Sequence, residues 1–98
     1  PAATAYRVFV LEGQDHGASF VVSAPSFVGK SATCELKLTD PKVSRRHVEI
    51  RWDGSVAMLT DLNSTNGTTV NDLQVSSWEL ADGDRIRVGH SDISVRFQ

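Results

Sequence analysis

Five consecutive positions, Val43-Ser44-Arg45-Arg46-His47, hold a hydroxyl, two guanidinium groups and an imidazole. They follow the turn dipeptide Asp40-Pro41. About twenty residues later, Asn63-Ser64-Thr65-Asn66-Gly67-Thr68 packs hydroxyls and amides around an Asn-Gly step. Together these side chains suit a dianionic, hydrogen-bond-accepting group such as a phosphate carried on a protein. A phosphate monoester has about -1.5 to -2 charges and three acceptor oxygens, so it needs donors converging from several directions. Ser44 supplies a hydroxyl and Arg45 a planar fork of N–H donors suited to bidentate phosphate contact. Lys30 supplies a mobile point charge, and Thr65 a second hydroxyl. Asn66 supplies an amide that both donates and accepts, which suits the main chain of an extended ligand. His47 lies three residues past Ser44 at the start of a strand pattern. Its imidazole can bridge back to the Ser44 loop, so its expected role is structural.

These loops need a scaffold to bring them together, and the pattern of the chain is that of an all-β domain. No window of eleven or more residues keeps a 3.6-residue period free of Gly, Pro or β-branched interruption. Short strand patterns occupy residues 6–11, 19–23, 27–29, 35–38, 47–52, 56–62, 68–70, 78–80, 85–88 and 93–97. In 47–52, Val48, Ile50 and Trp52 alternate against His47, Glu49 and Arg51. Asp53-Gly54 is a two-residue hairpin signal, Asn66-Gly67 and Asn71-Asp72 mark further turns, and 89–92 closes a final hairpin. Strands every 8–12 residues with turn chemistry between them predict an antiparallel sandwich or barrel. The expected core is Val8, Val10, Phe20, Val28, Leu36, Leu38, Val48, Ile50, Met58, Leu62, Ile86, Val88, Ile93, Val95 and Phe97.

Composition narrows the classes. Ninety-eight residues make one domain, 1–98, and bury roughly two-thirds of the unfolded surface. The start at Pro1 without Met suggests a domain excised from a longer chain. The lone Cys34 forms no internal disulfide and fits a reducing, cytoplasmic setting. No apolar run nears the roughly 20 residues of a membrane span. A net charge of -2 argues against a globally basic nucleic-acid binder. Residues 28–52 carry six basic and three acidic groups, so this stretch is +3 and the rest of the chain -5. From charge alone this is either a solvated mixed surface or a local anion site on an otherwise acidic domain.

The rival chemistries lack their parts. Val28-Gly29-Lys30-Ser31 resembles the end of a phosphate-cradling nucleotide loop, but position 24 is Ala where that motif needs Gly, and no helix pattern follows. Ser44, His47 and an Asp do not make a hydrolase without a nucleophile elbow. His16, His47 and His90 have no metal-ligand spacing. No catalytic residue, metal or cofactor is expected. His16 and His90 are assigned to solvated turns, Trp52 and Trp78 to core or sheet-face positions, and Asp61 to ordering a turn.

Gly29-Lys30, Ser44-Arg45-Arg46-His47 and Asn63-Ser64-Thr65-Asn66-Gly67-Thr68, in this order and spacing, resemble the three signature segments of forkhead-associated (FHA) domains. The flanking Cys34-Glu35-Leu36, Leu38-Thr39-Asp40, Val43, Asp61-Leu62 and Val70-Asn71 agree, and the resemblance runs from about Phe27 to Val88. It implies an antiparallel β-sandwich of two twisted sheets, about eleven strands, with binding loops at one end. It implies a non-enzymatic module that binds a threonine-phosphorylated protein or peptide in Ser/Thr kinase signalling, monomeric as an isolated domain. By position, Lys30 and Ser44 would contact the phosphate, Arg45 would flank it, and Thr65 and Asn66 would contact the peptide. His47 would brace the loop, and Gly29 and Gly67 would permit its geometry. Lys30 departs from the family's usual Arg and cannot form a planar bidentate clamp. That departure motivates an alternative, a phosphate-independent interaction or self-assembly domain on the same fold. The Gly29-Lys30-Ser31 form is similar to FHA sensor modules of bacterial signalling proteins and transcription activators.

Overall fold

The structure is a computed structural model and describes residues 6–22, 25–52 and 56–97. Among these residues the chain forms eleven strands and no helix. They are β1 (Tyr6–Glu12), β2 (Ser19–Val22), β3 (Ser26–Gly29), β4 (Leu36–Lys37), β5 (Val48–Trp52) and β6 (Ala57–Asp61), followed by β7 (Thr68–Val70), β8 (Leu73–Gln74), β9 (Ser77–Glu79), β10 (Arg85–Val88) and β11 (Ser91–Phe97). A six-stranded sheet runs β2-β1-β11-β10-β7-β8, and a five-stranded sheet runs β4-β3-β5-β6-β9. The expected sandwich is therefore present. All pairings are antiparallel except β3 with β4, which run parallel.

Period-2 alternation builds the core. Val8, Val10, Val70, Ile86, Val88, Ile93 and Val95 point inward from the six-stranded sheet. Val28, Leu36, Val48, Ile50, Ala57 and Leu59 meet them from the other. Strand β6 has the opposite phase to the one expected. Ala57 and Leu59 are buried while Met58 is only half-buried, because Trp52 pairs with Ala57 and carries the inward set of β5 onto odd positions of β6. Leu62 and Phe20 are likewise half-buried, with Phe20 packed against the core. The side chain of Phe97 and the Asp53-Gly54 turn lie outside what is described.

The turns follow residue chemistry. Asn71 and Asp72 both take positive φ, 50° and 71°, between paired Val70 and Leu73. That is the two-residue hairpin geometry whose twist matches its strands. The final hairpin is tighter than the sequence suggested. Val88 pairs with Ser91, so only Gly89 and His90 form the connection.

Candidate functional site

Three connections and one hairpin tip meet at one end of the sandwich: 30–35, 38–47, 62–67 and 89–90. Backbone bonds lock the first two. Lys30 N–H donates to Ser44 C=O at 3.0 Å and Ser31 N–H to Arg45 C=O at 2.8 Å. The segments approach so closely at Gly29 that a Cβ there would overlap the Arg45 carbonyl oxygen. Any side chain would push the loops apart, so this position requires glycine for proximity, without special φ.

His47 is fully buried, at 0 % exposure. Ser44 N–H donates to its Nδ1 at 3.0 Å, so Nδ1 is the acceptor and Nε2 carries the proton. Nε2–H then donates to Gly67 C=O at 2.8 Å. One neutral ring thus clamps the Ser44 loop to the Gly67 loop, and Gly67 supplies φ 79° where the chain turns into β7. The bracing role expected of His47 has this geometry, although the ring turns into the rim of the core instead of outward with Glu49.

Two carboxylates order the loops from behind. Asp61 accepts from Ser64 N–H at 2.9 Å, Ser64 Oγ at 2.6 Å and Thr68 Oγ1 at 2.6 Å. Burial alone would raise its pKa, but the hydrogen bonds donated by Ser64 and Thr68 outweigh it and hold the pKa below the ordinary aspartate value. Asp40 accepts from Lys42 N–H at 2.8 Å, His90 N–H at 2.7 Å and Ser91 Oγ at 2.7 Å. Its burial likewise opposes ionisation and is outweighed by these donors, which lower its pKa. Asp40 ties the loop before Ser44 to a hairpin fifty residues on. Its position in a turn was legible in the sequence, but its distant partners left no local signal.

What faces outward is a cleft of about 460 Å³ lined by Lys30, Pro41, Lys42, Val43, Ser44, Arg45, Thr65 and Asn66. All five expected contact residues, Lys30, Ser44, Arg45, Thr65 and Asn66, reach it. Ser44 Oγ accepts Thr65 N–H at 3.1 Å, which leaves the hydroxyl hydrogen free to donate outward. Asn66 Nδ2 donates to Lys42 C=O at 2.9 Å and bridges the two loops, leaving its Oδ1 available as an acceptor. Lys30, Lys42 and Arg45 are exposed and make no ion pair among the described residues. Arg46 points elsewhere, with its guanidinium 4.4 Å from the Phe27 ring centroid. Lys42 is a cleft residue that the sequence reading did not single out. Its place beside Pro41 in a charged stretch gave no cue to direction. His16 and His90 are exposed, and Cys34 is buried with its thiol donating to Arg45 C=O at 3.2 Å.

A family model described as the FHA domain matches residues 27–89, which is the span that holds every loop of this cleft except the hairpin's last residue. The chain belongs to the FHA-domain family. A curated relative, FHA domain-containing protein FhaA of Mycobacterium tuberculosis, is 61% identical over 72 residues, 74% of this chain and 14% of FhaA. The glycogen accumulation regulator GarA of Mycolicibacterium smegmatis is 37% identical over 90 residues, 91% of this chain and 56% of GarA. The chain thus spans a seventh to about half of these relatives. A solved structure from a study of phosphothreonine-dependent FHA domain interactions superposes with TM-score 0.90 at 48% identity, covering 97% of this chain and 98% of that one. The FhaA FHA domain complexed with the intracellular domain of Rv3910 gives TM-score 0.86 at 49% identity, covering 93% and 99%. The two-sheet, helix-free FHA architecture follows from both.

Proposed function

We propose that this FHA domain is a non-catalytic module that binds phosphothreonine-containing segments of protein partners in Ser/Thr kinase signalling. The observation that carries the reading is the cleft itself: a free hydroxyl hydrogen and cations without an ion pair among the described residues share one open rim whose scaffolding bonds are already satisfied. Ser44 donates its hydroxyl to one phosphate oxygen. Arg45 presents its fork to a second, and Lys30 adds charge from the neighbouring loop. Thr65 and the Asn66 Oδ1 acceptor align the peptide beside the phosphate. His47, Gly29 and Gly67 act through the loops and do not touch ligand. The cations need no desolvation from an internal partner before binding, so most of their interaction energy is available to the phosphate. The study of phosphothreonine-dependent interactions by a 48%-identical domain supports the same ligand class.

Titration calorimetry with a phosphothreonine peptide and its dephosphorylated form tests this. The expected result is strict dependence on phosphate, with Ser44→Ala and Arg45→Ala each costing about 1–3 kcal/mol. Affinity also falls with salt, since the cations are exposed and the screening length is about 8–10 Å at physiological ionic strength. Equal affinity for the dephosphorylated peptide overturns the proposal.

A further inference from the structure

The outer face of the six-stranded sheet has a corner that the phosphate cleft does not use. Its side chains follow from register. On β1, Val8 and Val10 point inward, so Arg7, Phe9 and Leu11 point outward. Arg7 pairs directly with Val21 of β2 on one side and with Arg96 of β11 on the other. Phe9 pairs with Ser19 and Ser94. The same face carries Arg85 and Arg87 on β10, but these are held by Asp92, with Glu12 also on Arg85. Arg7 and Arg96 have no acidic partner among the described residues. Like charges directly opposite across a ladder are destabilising, so an unpaired Arg–Arg step calls for an anion from outside.

This corner adjoins an open edge. The sheets end in β2, β8, β4 and β9. β4 and β8 have two residues each, and β9 has three, including Glu79. β2 has four, Ser19–Val22, with no charge and no proline, which are the usual defences of an edge. Val10 N–H donates to Ala18 C=O, so alternation directs the backbone groups of Phe20 and Val22 toward β1 and those of Ser19 and Val21 toward the open side. Val21 is 45 % exposed.

We infer that β2 accepts an added strand from an acidic, extended segment of a partner protein, read by Arg7 and Arg96. The rows define that segment. A side chain beside Val21 stands on the same face and in the same row as Arg7 and Arg96, and is acidic. One two residues away lies beside Ser19 and Phe9 and is apolar. A second copy of this chain does not fit, because its own edge strand Ser19–Val22 brings no acidic side chain to the row of Arg7 and Arg96. The site lies at the far end of β11 from the Ser91 end that contacts Asp40, so it operates alongside the phosphate cleft and independently of it.

The test uses a fluorescein-labelled eight-residue Glu/Val peptide, Glu-Thr-Val-Thr repeated twice, which sets Glu and Val in turn along one face of the strand, with its Lys-for-Glu (Lys/Val) counterpart, in fluorescence polarisation and amide NMR. The Glu/Val peptide is expected to bind, to shift the amides of Ser19 and Val21, and to lose at least tenfold affinity on Arg96→Glu and on Val21→Pro. Ser44→Ala leaves this binding unchanged, and Arg96→Glu leaves phosphothreonine-peptide binding unchanged. Equal binding of the Lys/Val peptide, amide shifts confined to 44–46 and 65–66, or no binding at all overturns the proposal. Tighter capture of phosphatidylserine vesicles or a single-stranded RNA by the same corner, lost with Arg96→Glu, also overturns it in favour of a lipid or nucleic-acid partner.

Discussion

The cations of the cleft and those of the β10–β11 face are in opposite circumstances. On the sheet face, Asp92 is 10 % exposed and receives Arg85 at 3.0 Å and Arg87 at 3.0 Å. Its hydrogen bond and charge raise the Arg85 pKa above the ordinary arginine value. In the cleft, Lys30, Lys42 and Arg45 form no ion pair among the described residues, while the nearby acids Asp40 and Asp61 turn away and accept from hydroxyls and backbone N–H groups. The acids of the loop end hold backbone in place and those of the sheet face hold arginines. Proximity of opposite charge in the sequence therefore says little about which cation is free. What decides it is whether the local backbone offers the carboxylate enough N–H and O–H donors to occupy it.

Removing the neutral clamp of the loop end is the largest break in this comparison. His47→Ala opens a cavity at a fully buried site and orphans Ser44 N–H and Gly67 C=O. The expected loss is about 3–5 kcal/mol of stability, the sum of a cavity and unsatisfied polar groups. Urea unfolding measures it. A loss under about 1 kcal/mol would mean that the two loops hold their positions without the imidazole.

Asp61→Asn comes next. It weakens three hydrogen bonds at once and is expected to cost about 1–3 kcal/mol at neutral pH. Asp61 has a lowered pKa when folded, so near pH 4 the unfolded chain binds more protons and stability falls as pH drops. Its contribution is complete above about pH 5, since the unfolded aspartate pKa is about 3.9, and is lost as pH falls through the folded pKa. Asp40 adds a second increment with the same sign. The variant should therefore show a shallower acid limb in unfolding series between pH 7 and pH 2. An unchanged limb would assign the acid sensitivity elsewhere.

These two residues also mark what the sequence could reveal. Ser44, Arg45 and His47 were legible because the chemistry occupies consecutive positions, and Asp61 because its partners Ser64 and Thr68 are within seven residues. Asp40 was not, since its partners His90 and Ser91 come from the other sheet. Ten of the eleven strands had a readable pattern. Leu73–Gln74 did not, because two residues carry no period. Met58 outranks Ala57 in hydropathy, yet the inward phase of β6 is fixed by its pairing with Trp52, a long-range fact. The inward turn of His47 had the same cause: alternation describes a strand interior, and His47 sits just before β5, where Leu62 N–H takes its carbonyl and Gly67 its ring.

Lys30→Arg sharpens the cleft side with a smaller effect. A guanidinium at this wall adds a second parallel hydrogen bond to phosphate that an ammonium cannot supply in the same plane. The expected gain in phosphothreonine-peptide affinity is about tenfold, or about 1.4 kcal/mol. Calorimetry with the same peptide reads it. No gain would show that the ligand phosphate sits out of reach of position 30 and is held from the Ser44–Arg45 side.

The smallest effect belongs to the sheet face, and it completes the comparison. Arg87→Ala removes one of two arginines from Asp92, while Arg85 keeps its contact through Nε and Nη2. Arg87 is 49 % exposed, so solvent screens the pair and the loss of stability should stay below about 1 kcal/mol. Phosphopeptide affinity should not change. Arg45→Ala is the mirror case: no ion pair is lost on removing it, so stability is retained while affinity falls. Thermal unfolding and calorimetry on both variants separate the two roles. If Arg45→Ala destabilised the fold as much as Arg87→Ala, the cation of the cleft would have an internal partner after all, and its availability to phosphate would have to be discounted by the strength of that contact.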